Sequence, residues 1–292
     1  MQDPIDARKR RALLLFNPGA RRAGEGFGAV MPRLVDGGLA VTVEPFSALP
    51  ELARETADLI VLCGGDGTIA SGAMAVMESG LPLGIIPMGT ANDLARTLGI
   101  PMDLEQAADV IVAGATRRID VGSVNGHAFF NVASIGLSAD LARTLDAGLK
   151  KRWGRLGYAV AALRVLSRAR RFEATITEKD SETQVSTYQI AVGNGRHYGG
   201  GNVVEEKASI DDGHLDLYSL EVSTVWKLAA MMRSFRAGRQ GLWSEVRTAR
   251  CVRFDIVTRH PMPVNTDGEI VTATPARFMV HPGAVEVLVP KA

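Results

Sequence analysis

With 292 residues, 46% of them hydrophobic and 22% charged, the sequence is long enough for about two domains and too apolar for a disordered chain. Lys and Arg nearly balance Asp and Glu, and the formal charge of +1 makes no general electrostatic case for nucleic acid, so an anionic partner must meet a local patch. Cys63 and Cys251 stand in unrelated contexts, which does not indicate a disulfide framework and fits a reduced, cytoplasmic setting better.

In chain order, Arg8–Arg11 precede the apolar run Ala12–Phe16, but Asn17-Pro18-Gly19 cuts that run too short for a signal peptide. No segment has the apolar length of a membrane-spanning helix, so any membrane is met from its surface. The pattern predicts strands at Ala12–Phe16, Leu39–Val43, Leu59–Cys63 and Leu83–Ile86. Helices are predicted at Phe27–Val35, Glu51–Ala57, Ile69–Glu78, Ala91–Leu98 and Leu104–Ala113. Such alternation implies an α/β domain of three layers with a mainly parallel sheet. Cys63 ends a wholly apolar run and reads as a small buried hydrophobe.

After about Arg118 the texture changes. Ile119–Val124, the turn pair Asn125-Gly126 and His127–Ala133 predict a hairpin. A helical insertion follows over Ala139–Arg168, then short strands at Glu173–Thr177, Tyr188–Val192, Leu215–Leu220, Val252–Val257 and Arg277–Val280. Trp226–Phe235 predicts one more helix. The second domain is therefore expected to be a mostly antiparallel β-sandwich with a helical insertion. The expected boundaries are 1–121 for the first domain and 122–282 for the second, the last strand (within 283–292) being able to return to the first.

The chemistry concentrates in Leu59–Ser71, where an apolar strand runs into Gly64-Gly65-Asp66-Gly67-Thr68 and a helix begins at once. Glycines allow close backbone approach to a ligand, and a helix N-terminus offers free N–H groups to phosphate. A carboxylate beside phosphate is repulsive unless it holds Mg²⁺ or accepts a proton from an attacking hydroxyl, so Asp66 suggests phosphoryl transfer. The plainer alternative is a tight turn with Asp66 as N-cap. The P-loop, dinucleotide and protein-kinase motifs are all absent. A second strand–loop–helix, Met88-Gly89-Thr90-Ala91-Asn92-Asp93, places Thr90 and Asn92 either to bind phosphate or simply to cap the next helix.

GGDGT followed by PMGTANDLARTLGIP resembles the diacylglycerol-kinase catalytic family, particularly its bacterial YegS-like lipid kinases. Further matches are Asn17-Pro18, Phe129-Phe130-Asn131-Val132, Gly193-Asn194-Gly195 with Gly199-Gly200-Gly201, Asp211-Asp212-Gly213-His214-Leu215-Asp216 and Asp267-Gly268-Glu269. The resemblance implies an ATP- and Mg²⁺-dependent kinase in which nucleotide and lipid meet between two domains. It implies nucleotide contacts at Gly64, Gly65, Asp66, Gly67, Thr68 and Thr90, with Ser47 near a further contact, and Glu269 as general base; Ser71 and Asn92 on the two loops are further candidate contacts, and Asp66 is the catalytic candidate of the first loop. It also implies a Mg²⁺ site held by Asp212, with main-chain oxygens near Ser209 and His214 completing the shell, His214 through its carbonyl. The residues alone allow plainer alternatives: a hairpin turn with solvated carboxylates at Asp267–Glu269, and an Asp-Gly turn without metal at Asp212. Two departures stand out: Ala70-Ser71 replaces the family's Asn-Glu pair, and Val204–Ala208 lacks its usual proline.

The insertion and its flank, 150–171, carry Lys150, Lys151, Arg152, Arg155, Arg164, Arg168, Arg170 and Arg171 among apolar residues. A basic amphipathic helix of this kind either rests on anionic headgroups at the inner membrane face or packs its apolar side on the β domain. The expected partner is a lipid of diacylglycerol or phosphatidylglycerol type at the membrane surface, with no nucleic acid. The rival readings are an NAD-kinase-like phosphotransferase and a catalytically weakened lipid- or nucleotide-binding homologue. Composition does not fix the oligomeric state.

Overall fold

The computed structural model describes residues 9–16, 23–46, 57–137, 139, 169–179, 181–195, 197–198, 202–203, 209–223, 227 and 245–291. Outside these lie Asn17-Pro18, Ser47, most of the helix expected at Glu51–Ala57, nearly all of the basic insertion, Gly199–Gly201, Val204–Ala208 and nearly all of Trp226–Phe235. The chain forms two compact units, Met1–Ile119 with Ala284–Ala292 and Asp120–Gly283.

The first unit alternates β1 (Arg11–Phe16), α1 (Ala23–Asp36), β2 (Ala40–Pro45), β3 (Leu59–Gly64), α2 (Asp66–Ser79), β4 (Leu83–Pro87), α3 (Asp93–Thr97) and α4 (Leu104–Ala113). Its strands lie in the order β2-β1-β3-β4, every pair parallel. A strand covered on both faces has no polar side to show, which is why β3 reads as unbroken LIVLCG and is buried throughout. Burial pushes the Cys63 thiol up to about 12, so it behaves as a hydrophobe and not a nucleophile. Helix α4 has conventional ends: Asp103 accepts from the Gln106 N–H at 3.0 Å, and Gly114 closes it in the left-handed region.

The chain then runs through β5 (Thr116–Val124), β6 (His127–Phe129), β7 (Val132–Gly136), β8 (Phe172–Glu178), β9 (Ser181–Thr187), β10 (Gln189–Gly193), the two-residue pair β11 (His197–Tyr198) and β12 (Asn202–Val203), and β13 (Leu215–Leu220). It continues through β14 (Val246–Cys251), β15 (Arg253–Thr258), β16 (Pro263–Thr266), β17 (Glu269–Ala273) and the long β18 (Ala276–Leu288). In the second unit β14-β13-β10-β7-β16-β17 form one antiparallel sheet. The first part of β18 with β15, β8 and β9 forms another, and β5 pairs with both β6 and β18. Side chains from both sheets, among them Phe129, Ile135, Ile190, Leu217, Phe254 and Phe278, share one core. The far end of β18 returns to the first unit, where Val287 aligns with Leu83 of β4, parallel to it.

The expected α/β-plus-sandwich architecture is what the structure has, with local differences. Helix α2 begins at Asp66, three residues before the apolar period starts at Ile69. The expected strand His127–Ala133 breaks at Phe130-Asn131, whose backbone N–H groups turn to a side chain instead of a ladder. Strands β9 and β14 carry few apolar residues, so alternation did not mark them. The expected strand Val252–Val257 begins at Arg253, because at Val252 the chain leaves one sheet for the other.

Candidate active site

The two glycine loops of the first unit touch backbone to backbone. A Cβ on Gly65 would lie 2.8 Å from the Gly89 Cα, and one on Gly89 would lie 2.5 Å from the Gly65 Cα. Only glycine at both positions lets β3 and β4 deliver their loops this close together. Gly65 is also the N-cap of α2 and supplies no side chain, so no side-chain cap closes the helix entrance beside Gly64–Thr68. A fourteen-residue helix opening on uncapped N–H groups next to paired glycines suits an anionic phosphate chain.

Asp66 ties the loops together. Its carboxylate accepts the N–H of Asn92 at 2.7 Å and of Asp93 at 2.6 Å, thereby capping the five-residue α3 from across the sheet edge. Desolvation, followed by the charge of nearby Asp93, raises its pKa above the ordinary carboxylate value. The charge of Asp93 already acts on Asp66, and a hard divalent cation, which takes carboxylate oxygens, would relieve that repulsion. The residues here therefore fit Mg²⁺.

Asn92 is buried and adopts φ 52°, while its side chain accepts from the Gly89 N–H at 2.9 Å and donates to the Gly89 carbonyl at 3.1 Å. Its amide is thus engaged in shaping its own loop. Thr90 is exposed, Thr68 packs over Gly64, and the exposed Ser71 donates its hydroxyl to the Gly67 carbonyl at 2.7 Å. Ser47 lies outside the described residues.

The remaining expected residues belong to the second unit. Asp212 does not present an open carboxylate: Oδ2 accepts the Ser209 N–H at 2.9 Å, and Oδ1 accepts the His214 N–H at 3.0 Å. The Arg250 guanidinium, reaching from β14, sits 2.5 Å from Oδ2. The Asp212 carbonyl faces His214 Nδ1 at 2.7 Å, and Ser209 Oγ bonds Asp211. As arranged, the Asp212 carboxylate does not offer itself to a divalent cation, because a cationic side chain already pairs with it. Among the described residues no cluster of three or more His, Cys, Asp or Glu side chains is placed to hold a metal.

Glu269 opens β17 just after the Asp267-Gly268 turn and is exposed. Asp267 is not a solvated turn residue: it accepts N–H groups from Phe130, Asn131 and Val132. Asp120, inside the apolar Ile119–Val121, accepts from the Gly213 N–H at 2.6 Å and the Gly283 N–H at 2.8 Å. A carboxylate in the middle of an apolar strand is a sequence signal for such a role, and sequence reasoning passed over it. Arg250 gave no such signal, since only strand pairing brings it opposite Asp216 and within reach of Asp212.

Comparison with known proteins covers both units. Residues 11–124 match the family model described as diacylglycerol kinase catalytic domain, and residues 131–289 match that described as YegS C-terminal NAD kinase beta sandwich-like domain. A probable lipid kinase YegS-like of Pseudomonas aeruginosa is 34% identical over 79% of this chain and 76% of its own length. A diacylglycerol kinase of Bacillus subtilis is 30% identical over 84% of this chain and 82% of its own. A crystal structure titled as a putative diacylglycerol kinase from Bacillus anthracis str. Sterne superposes with a TM-score of 0.82 at 26% identity, covering 99% of this chain and 98% of that one.

Proposed function

The chain belongs to the diacylglycerol-kinase catalytic family with a YegS-type C-terminal domain, a family of kinases, and on that premise we propose that it transfers the γ-phosphate of ATP to a hydroxyl of a membrane lipid in a Mg²⁺-dependent reaction. The observation that carries this reading is the backbone contact of Gly65 with Gly89 beside the uncapped N-terminus of α2. In it, the first unit is the nucleotide domain and the second the lipid domain. Gly64 to Thr68 take the phosphates of ATP through backbone N–H groups, and Ser47, Ser71, Thr90 and Asn92 border the nucleotide.

Asp66 has two tasks in this reading: it accepts the backbone N–H groups of Asn92 and Asp93, which holds the second loop, and with Asp93 it would hold the metal. Bound there, Mg²⁺ supplies neutralisation of the charge that develops on the phosphates. Glu269 accepts the proton of the lipid hydroxyl as its oxygen forms the bond to the γ-phosphorus and the bond to ADP breaks. We assign no metal to Ser209, Asp212 and His214, where Arg250 supplies the positive charge.

The acceptor is of diacylglycerol or phosphatidylglycerol type, reached at the inner membrane face with the basic 150–171 segment against anionic headgroups. Among the described residues no helix is long and apolar enough to cross a membrane. Because the second unit matches an NAD kinase-like β-sandwich family, NAD is the rival acceptor to test. The test is transfer of label from [γ-³²P]ATP, with Mg²⁺, to diacylglycerol, phosphatidylglycerol and NAD in parallel. Label in a lipid, lost in Glu269→Gln, supports the reading. Label in NAD alone, or in none of the three, refutes it.

A further inference from the structure

The Glu269 carboxylate is exposed, and no side chain among the described residues holds it, so its location is set by the backbone of its hairpin. That hairpin is a two-residue turn in which Asp267 has φ 47° and Gly268 φ 103°, joining the edge strand β17 to β16 with Thr266 opposite Glu269. An Asp-Gly turn of this kind selects aspartate for its tolerance of positive φ, and the side chain ordinarily bonds no further than its own turn. Here it turns inward. Oδ2 accepts the Phe130 N–H at 2.8 Å, and Oδ1 accepts the Asn131 N–H at 3.1 Å and the Val132 N–H at 2.9 Å.

The backbone groups of this connection between β6 and β7 are almost completely accounted for. All three N–H groups go to one carboxylate. The Val132 carbonyl accepts the Asp267 N–H at 2.9 Å, and the Asn131 carbonyl accepts the Asn194 N–H at 2.8 Å. The Phe130 carbonyl accepts Asn194 Nδ2 at 3.1 Å, and the same amide reaches the Asp120 carbonyl at 2.8 Å. On the hairpin side, Asn265 Oδ1 accepts the Gly268 N–H at 3.1 Å. The turn before Glu269 is therefore fastened to a rigid connection whose far side is held by the buried Asn194.

We propose that Asp267 is a positioning residue for the reaction: its carboxylate fixes the hairpin tip against residues 130–132 and so fixes where Glu269 meets the acceptor hydroxyl, an inference that rests on the reading of Glu269 as the base. Charge-assisted hydrogen bonds to backbone N–H are about twice as strong as neutral ones, and a misplacement of about 1 Å in a reacting group costs on the order of 100-fold in rate. Asp267→Asn keeps the shape but turns an NH₂ donor towards backbone donors, so one anchor becomes a repulsion.

The experiment is a double-mutant cycle on the full chain, with Asp267→Asn, Glu269→Gln and the double variant assayed for kcat and for the KM of ATP, using ATP, Mg²⁺ and a short-chain diacylglycerol in mixed micelles. The expected result is a loss of about 10- to 100-fold in kcat for Asp267→Asn, with the KM for ATP within about twofold of the parent. The second expected result is that Glu269→Gln costs far less in the Asp267→Asn background than alone, because a displaced base has little left to lose. Gly268→Ala, which disturbs the tip without touching the carboxylate, is expected to lower kcat in the same way and supplies the reading should Asp267→Asn not fold. Full activity of Glu269→Gln sinks the base assignment and this proposal with it. Loss in Glu269→Gln with full kcat in both Asp267→Asn and Gly268→Ala overturns the positioning role and leaves the base assignment standing. Losses that multiply in the double variant also overturn it, since Asp267 then acts independently of Glu269.

Discussion

Replacing Gly89 with alanine tests whether the glycine contact between the two loops is what shapes the nucleotide site. The added Cβ meets the Gly65 Cα at 2.5 Å and Asn92 Oδ1 at 2.6 Å, where ordinary contact begins at 3.4 Å. The first neighbour is backbone, so no rotamer change relieves it, and the loops must part by roughly 1 Å; overpacking of this kind costs about 1–3 kcal/mol. The second neighbour is the amide that bonds both the N–H and the carbonyl of Gly89, and each bond lost costs about 1 kcal/mol. The total is about 3–5 kcal/mol, read as a fall in melting temperature of roughly 6–20 °C. Gly67→Ala is the control, because nothing lies within 4 Å of its added Cβ and alanine in a helix is favoured over glycine by about 1 kcal/mol. It is expected to melt no lower than the parent and yet to raise the KM for ATP, since the methyl group stands where phosphate approaches. Circular-dichroism melts and ATP titrations of the three proteins decide the matter. If Gly89→Ala melts with the parent, or if Gly67→Ala falls as far as Gly89→Ala, the steric reasoning fails.

Two further outcomes follow from groups outside that contact. Adding Mg²⁺ or EDTA without nucleotide is expected to leave the melting temperature unchanged, whereas Arg250→Met, which removes the cation from Asp212 and leaves the Ser209 N–H on Oδ2, melts lower and is raised by Mg²⁺; a Mg²⁺-dependent rise in the parent would contradict the observed pairing. The Arg11 side chain and N–H hold the Asp58 carboxylate down from 3.8 to about 2. A depressed carboxylate stabilises the fold above its unfolded value and loses that effect as pH falls through the folded one. The urea midpoint should therefore drop between about pH 4 and pH 2 in the parent and more shallowly in Asp58→Asn; parallel curves would refute it.

What the sequence disclosed depended on how local the signal was. The unbroken apolar run of β3 and the glycines after it state both a doubly covered strand and a close approach, so the first unit and its loops were readable. The partners of those loops were not. That Asp66 reaches Asn92 and Asp93 depends on β3 and β4 being neighbours, a fact of sheet order and not of spacing. The same holds for Arg250, which meets Asp212 only because β13 and β14 pair. Asp267 looked like half of an ordinary Asp-Gly turn, and only the fold shows that its side chain serves residues more than a hundred positions earlier. Strands such as β9 and β14, with few apolar side chains, are recruited by their neighbours' backbones and leave little trace of alternation.

The return of β18 to the first unit bears on how the protein is made. Strand β4 has β3 on one side and, on the other, the stretch of β18 around Val287, while the Val289 N–H reaches back to the Ala115 carbonyl. A ribosome that has finished residue 119 has produced most of the first unit, but it must translate the whole second unit before the strand that covers β4 emerges. Until then the β4 edge offers unpaired backbone groups to any passing strand. The part of the protein synthesised first is thus the last to be sealed, and the crowded interval between the two events is when a nascent chain most needs shielding.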